Sequence, residues 1–154
     1  MKRGLAGSPR FRRVVFMQNV EEIICDLIGV PFVDGGRGPD GYDCWGLVRE
    51  VYNRLGVELQ DYKMSCYDAA GFSQRAEAER PRWTRHELKD APVPAVVAIR
   101  LNSPSISHVG VYIGDGKFLH TREKTGVCIE RMDSPVWRHR IEGIYTNDGN
   151  DNTC

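Results

Sequence analysis

The sequence has no excess of charge of either sign, no long hydrophobic run and no closely spaced pair of cysteines. Its 154 residues include 21 basic and 21 acidic side chains. Because phosphate neutralisation requires a basic surface, this balance argues against nucleic acid as the main partner. No apolar run approaches the roughly 20 residues that a spanning helix needs, so we expect no membrane span. None of the five cysteines forms a CxxC pair, which argues against structural zinc, and we expect neither metal nor cofactor.

The basic charge is concentrated at the N-terminus. Residues 1–13 contain five basic side chains and no acidic one, so the remainder of this neutral chain is acidic. The segment lacks the apolar stretch of a secretory signal, and we expect no signal peptide and reduced thiols during synthesis. It is either a solvated terminus or an arm that docks on an acidic neighbour. One compact domain is predicted over residues 14–146, followed by a polar tail over residues 147–154.

Two helices are predicted on either side of a glycine-rich loop. Asn19 to Gly29 carries apolar side chains at helical spacing, with Asn19 as the N-cap and Gly29 as the stop. Residues 31–42 contain four glycines and two prolines, which excludes regular structure and indicates either a connector or a functional loop. Asp43 is a good N-cap for the second helix, which Gly56 ends.

The second half of the chain is predicted to be mainly β-structure. A helix is expected first, at about residues 69–80, followed by a loop that holds Trp83 and His86. From residue 93 the apolar period changes to two, which predicts five strands. These strands cover residues 93–101, 107–113, 117–121, 127–131 and 143–145. Helices followed by a run of antiparallel strands indicate an α+β domain.

Cys44 lies at the predicted start of the second helix. Unpaired N–H groups and the positive end of the helix dipole stabilise a thiolate there, which predicts a lowered pKa and a nucleophilic sulfur. A cysteine at such a position is also a common core residue. The preceding glycine-rich loop favours the nucleophile, because it lets a substrate backbone approach the sulfur.

Two of the four histidines lie in one predicted hairpin, His108 in its first strand and His120 in its second. A three-residue turn at residues 114–116 sets Gly110 opposite His120 and places both imidazoles on one face. A two-residue turn would put them on opposite faces. On one face, His108 can act as the general base for Cys44 while His120 orients it. His86 and His139 are expected at the surface, and a His108–His120 metal pair would lack a third ligand.

Three motifs follow one another along the chain: Pro31-Phe-Val-Asp-Gly-Gly36, Gly41-Tyr-Asp-Cys-Trp-Gly-Leu-Val48, and His108-Val-Gly-Val-Tyr-Ile-Gly114 with Phe118-Leu-His120. Together with Trp137 and Ile141-Glu-Gly-Ile144 they resemble the NlpC/P60 family of papain-like cysteine peptidases over about residues 19–145. The resemblance implies a Cys44–His108–His120 triad and a papain-like α+β fold in which the nucleophile helix packs on a small antiparallel sheet. It also implies cleavage of peptidoglycan stem peptides, usually between γ-D-glutamyl and a diamino acid.

The resemblance also suggests substrate contacts and shows two departures. Asp43 would bind a substrate amine or serve only as the N-cap. Phe32 stands where many members have tyrosine, so a hydroxyl near the oxyanion is missing or comes from elsewhere, for example Tyr42. Trp45 stands where many members have serine, and we expect it to contact substrate as well.

The Asp-Cys-Trp-Gly-Leu-Val form is similar to peptidases of bacteriophage tails. This predicts a wall hydrolase that assembles in the host cytoplasm, is carried on the virion tail with tail-tip or hub proteins as partners, and acts in the periplasm or wall. Two alternatives stay open. In the first, the chain is a bacterial enzyme of cell-wall remodelling. In the second, it is a catalytically idle structural adaptor at the tail tip.

Overall fold

The computed structural model describes residues 18–147, and the predicted basic arm, the end of the polar tail and Cys154 lie outside them. Three α-helices, two 3₁₀ turns and six strands make up this part of the chain, which confirms the α+β prediction. The helices are α1 Val20–Leu27, α2 Cys44–Arg54 and α3 Ala69–Glu79, and the 3₁₀ turns are Arg80–Arg82 and Leu88–Asp90. No helix within residues 18–147 has the length and apolar character needed to cross a membrane.

The first two helices begin where their capping residues predict. Asn19 and Glu22 form a reciprocal capping box at the start of α1, and Gly29 follows the helix with a φ of 88°. The Asp43 side chain caps α2 by accepting the N–H of Gly46 at 2.7 Å. Cys44 is therefore the first residue of α2, as the sequence predicts.

The six strands form one antiparallel sheet in the order β1-β6-β2-β3-β4-β5. The prediction of a loop at Trp83 and His86 is wrong, because these residues form an edge strand that pairs with β6. The five strands predicted further along the chain are present with shifted ends. The strands are β1 Trp83–His86, β2 Ala95–Ile99, β3 His108–Gly114, β4 Lys117–Arg122, β5 Gly126–Arg131 and β6 Ile141–Asn147.

The β3–β4 hairpin reaches the predicted register by a different route. The prediction of a three-residue turn is wrong, because Gly114 pairs directly with Lys117 and only Asp115 and Gly116 form the turn. Both have positive φ, 53° and 70°, as a tight hairpin turn requires. Ile113 is then skipped, so that Tyr112 pairs with Phe118. The bulge compensates for the shorter turn and restores the register that places both histidines on one face.

The α2 helix packs across β3 and β4 and closes the larger core of the domain. Its buried side chains include Leu47, Val48 and Val51, which lie against Val111 and Leu119 of the sheet. A second cluster covers the opposite face of the sheet around Phe118 and Trp137. The start of α2, which carries Cys44, is therefore held directly against the strands that carry the two histidines.

Candidate active site

Asp43 fixes the start of α2 to the preceding glycine-rich loop. Besides the Gly46 N–H, its carboxylate accepts the N–H of Gly35 at 3.0 Å and a guanidinium N–H of Arg37 at 2.7 Å. The side chain is 1% exposed, so this ion pair is largely shielded from solvent. Both carboxylate oxygens are thus engaged within the chain, which supports the N-cap role. The loop at residues 31–42 is a rigid support for the Cys44 helix.

Cys44 lies in a closed environment beside a second cysteine. Its side chain is only 1% exposed, and its Sγ lies 3.4 Å from the Sγ of Cys66. The contact with Cys66, burial and the nearby Asp43 charge raise the pKa of Cys44, while the Val109 N–H acts in the opposite direction. The predicted lowering of this pKa is therefore wrong for the resting structure. The thiol is protonated and needs a base to become a nucleophile.

The two hairpin histidines supply a connected pair of imidazoles. His108 Nε2 lies 2.9 Å from His120 Nδ1, within hydrogen-bond distance, and both rings are buried. Phe118 and Trp137 pack against the His120 ring, with centroid distances of 5.0 Å each. Because His108 uses Nε2 for this hydrogen bond, its Nδ1 takes no part in the contact between the two rings.

Both histidines are neutral at physiological pH. Burial lowers the pKa of His108 well below its ordinary value, and the charges of His120 and Arg122 act in the same direction. Burial likewise lowers the pKa of His120 to about 4, although Glu130, 3.6 Å from its Nε2, acts to raise it. A neutral imidazole can accept a proton, so His108 is in the protonation state that a general base requires.

A groove of about 550 Å³ leads from solvent to His108. Its lining includes Phe32 and Cys66, together with Arg122 and Lys124 at the β4–β5 turn. The Tyr67 hydroxyl hydrogen-bonds Glu123. The groove is open to solvent and is lined by both polar and apolar side chains.

The three predicted substrate contacts have different environments. Tyr42 is 2% exposed, burial raises its pKa, and its hydroxyl interacts with Glu50 and Arg54 in the C-terminal half of α2, away from Cys44 at the start of the helix. Trp45 donates from Nε1 to the Gln60 carbonyl at 2.9 Å and lines an apolar cavity beside Cys66. The tyrosine ring that packs on Phe32 is Tyr67, at a centroid distance of 6.2 Å.

Cys66 and Glu130 are the residues at the site that sequence reasoning missed. Asp34 in the glycine-rich loop holds Cys66 in place by accepting its N–H at 2.7 Å and the Ser65 hydroxyl at 2.8 Å. Glu130 lies on β5 beside His120. The position of Glu130 could have been predicted from the pairing of β4 with β5, which brings this part of β5 beside His120. Cys66 lies in a polar stretch without periodicity, which gives no such indication.

Comparison with known proteins identifies the family of the chain. The model of the NlpC/P60 family matches residues 29–146, and the chain belongs to this family. It is 31% identical over 148 residues to the Gamma-DL-glutamyl hydrolase of Bacillus subtilis, covering 95% of this chain and 32% of the relative. It is 28% identical to the Murein DD-endopeptidase MepS/Murein LD-carboxypeptidase of Escherichia coli K12, over 84% of this chain and 62% of the relative.

Solved structures show the same fold. An NLP/P60-family protein from Staphylococcus aureus, described as similar to a lipoprotein, superposes with a TM-score of 0.62 at 19% identity. The superposition covers 83% of this chain and 40% of that protein. The chain therefore spans about a third of the Bacillus relative, 62% of the Escherichia relative and less than half of the Staphylococcus protein.

Proposed function

We propose that the chain is a cysteine peptidase that hydrolyses peptidoglycan stem peptides through Cys44, His108 and His120. The observation that carries this proposal is the buried His108–His120 hydrogen bond on the strands against which the Cys44 helix packs. The name of the Bacillus relative, a Gamma-DL-glutamyl hydrolase, supports a bond on a γ-glutamyl residue. The name of the Escherichia relative, a murein endopeptidase and carboxypeptidase, supports a peptide of the cell wall as substrate.

The reaction follows from the protonation states of the resting site. His108 accepts the Cys44 proton at Nδ1 as the sulfur attacks the scissile carbonyl carbon. The N–H groups in the first turn of α2 are the donors available to stabilise the oxyanion. His108 then gives its proton to the leaving amine, and water hydrolyses the thioester. His120 accepts the His108 Nε2–H throughout and stabilises the imidazolium that forms.

Charge in the groove suits an acidic peptide. Arg122 and Lys124 line the groove, where they would meet the free carboxylates of a stem peptide, while the Tyr67 hydroxyl hydrogen-bonds the intervening Glu123. Trp45 would provide apolar contact from the neighbouring cavity. Asp43 and Tyr42 support the loop from within, so we assign substrate recognition to the groove walls.

Two biological settings fit this activity. The Asp43-Cys44-Trp45-Gly46-Leu47-Val48 motif supports a hydrolase carried on a phage or phage-like tail, with tail-tip proteins as partners. The bacterial wall enzymes among the relatives support the alternative of a cell-wall remodelling endopeptidase. The buried Cys44, in contact with Cys66, supports a third possibility, a wall-binding adaptor without turnover.

Digestion of purified peptidoglycan tests the proposed activity. The chain is incubated with muropeptides that contain either diaminopimelate or lysine, and the fragments are identified by mass spectrometry. We expect new fragments that end at the γ-D-glutamyl residue. If the muropeptides stay uncleaved and the protein remains bound to the wall, the result would support the adaptor instead.

A further inference from the structure

Three metal-binding side chains converge on the side of His120 that faces away from His108. His120 Nε2 lies 3.6 Å from Glu130 Oε2, and Cys128 Sγ lies 3.9 Å from the same oxygen. All three ligand atoms lie within 4.8 Å of one another. The sheet imposes this arrangement, because His120 pairs directly with Cys128 and Glu130 follows on the same face of β5.

The Nε2 atom of His120 is a buried polar atom without a hydrogen-bond partner. Among residues 18–147 only two other buried side-chain atoms, the hydroxyls of Tyr52 and Thr121, share this property. The His120 ring is 0% exposed, and the nearest acceptor, Glu130 Oε2 at 3.6 Å, lies beyond ordinary hydrogen-bond distance. A buried nitrogen of this kind has a free energy cost unless it acquires a ligand. His120 Nε2 faces Cys128 and Glu130, whose side chains bind metal ions, which indicates that the missing ligand is a metal ion.

The cluster matches the preferences of zinc. Bond lengths of about 2.0–2.3 Å in a tetrahedron place ligand atoms about 3.5 Å apart, close to the two shorter separations observed here. A cysteine thiolate and a carboxylate together neutralise a divalent cation, although the nearby Arg122 charge opposes binding. Cys128 and Glu130 are partly exposed, so an ion can enter from solvent. Water would complete the fourth position.

We propose that His120, Cys128 and Glu130 bind a zinc ion that switches off the Cys44 site. The physical link is the His108–His120 hydrogen bond. In the active arrangement His108 donates from Nε2, and His120 therefore carries its own proton on Nε2. Zinc on His120 Nε2 moves that proton to Nδ1, so His120 becomes the donor. His108 must then accept at Nε2 and carry its proton on Nδ1, where it no longer accepts a proton from Cys44.

The protons balance in this switch. His120 Nε2 releases one proton to solvent, the proton between the rings moves from His108 to His120, and His108 Nδ1 takes one from solvent. Cys128 releases a further proton as it becomes a thiolate ligand. Both imidazoles stay neutral, and the only bonds broken are N–H bonds and the S–H bond of Cys128. Removal of zinc reverses each step.

Metal binding is measured separately from hydrolysis. Cobalt(II) titration of the wild-type chain should give the thiolate-to-cobalt charge-transfer absorption, and zinc should displace the cobalt at one equivalent. The absorption should persist in Cys44→Ala and Cys66→Ala and disappear in Cys128→Ala, with zinc affinity reduced at least about 10-fold. Retention of the absorption in Cys128→Ala, or no binding at micromolar metal, would overturn the site. Circular dichroism confirms that each variant is folded.

Inhibition rests on the proposed function and is tested with stem-peptide hydrolysis. Without metal, Cys128→Ala should retain wild-type kcat/KM. The zinc concentration that halves activity should rise at least about 10-fold in this variant. Nitrogen-15 spectra of labelled histidine should show the His108 proton moving from Nε2 to Nδ1 as zinc is added. Equal zinc sensitivity in wild type and Cys128→Ala would overturn the switch, whereas absence of hydrolysis in every metal-free sample would overturn only the proposed function.

Discussion

Replacement of Cys44 by alanine is expected to lower kcat/KM for stem-peptide hydrolysis at least about 10⁴-fold, to the level of the background reaction. In the proposed mechanism the sulfur forms the covalent intermediate, and a methyl group cannot replace it. In the proposed mechanism His108 activates Cys44 alone, so we expect neither Cys66 nor water to take over. The loss is measured by product release from a purified stem peptide.

Cys25→Ala is the matched control. Cys25 is an exposed cysteine of α1, so its removal tests for effects of losing a thiol in general. We expect wild-type rates from this variant. Because Cys44 is buried, Cys44→Ala also leaves a small void, and its thermal midpoint shows whether the fold is retained. Hydrolysis by folded Cys44→Ala at the wild-type rate would assign the nucleophile to another residue.

Gly46→Ala is expected to destabilise the domain by about 3 kcal/mol, although helix propensity alone predicts stabilisation of about 1 kcal/mol. A methyl group at position 46 would overlap the Gly36 carbonyl oxygen and lie 3.1 Å from Asp43 Oδ1. That carbonyl cannot move freely, because it already accepts N–H groups from Asp43 and Arg37. The substitution therefore separates the loop from the start of α2. Chemical denaturation measures the effect.

Asn53→Ala provides the comparison within the same helix. Asn53 is exposed, so alanine there changes helix propensity without a clash. We expect a small gain in the free energy of unfolding for this variant. A higher free energy of unfolding for Gly46→Ala as well would show that the loop is not in close contact with the helix at this position. We also expect Gly46→Ala to lower the rate of hydrolysis even under conditions where the variant is still folded. The reason is that Cys44 occupies the first position of α2, which the substitution displaces.

The sequence contained enough information for the elements that carry the site. Local capping signals at Asn19 and Asp43 located both helix starts, because caps depend on neighbouring residues alone. The alternation around His108 and His120 located their strands. The predicted length of the turn was wrong, since glycines at positions 114 and 116 accommodate either a two-residue or a three-residue turn. A bulge at Ile113 decided the register, and its position depends on tertiary packing.

The features that the sequence could not supply depend on contacts between distant parts of the chain. Cys66 reaches Cys44 because Asp34, 32 residues earlier, holds its backbone. The raised pKa of Cys44 follows from that contact and from burial, neither of which a helix-dipole argument includes. The edge strand at Trp83–His86 likewise forms only by pairing with the last strand described.

The central claim is that Cys44, and not the adjacent Cys66, attacks the substrate with His108 as base. The most direct measurement uses a γ-D-glutamyl peptide with a vinyl sulfone in place of the scissile amide, followed by peptide mapping. Cys44 and Cys66 fall on different tryptic peptides, so the mapping separates them. We predict one adduct per chain, on Cys44, formed at least about 100-fold more slowly in His108→Ala. An adduct on Cys66, or one spread evenly over the five cysteines, would contradict the assignment.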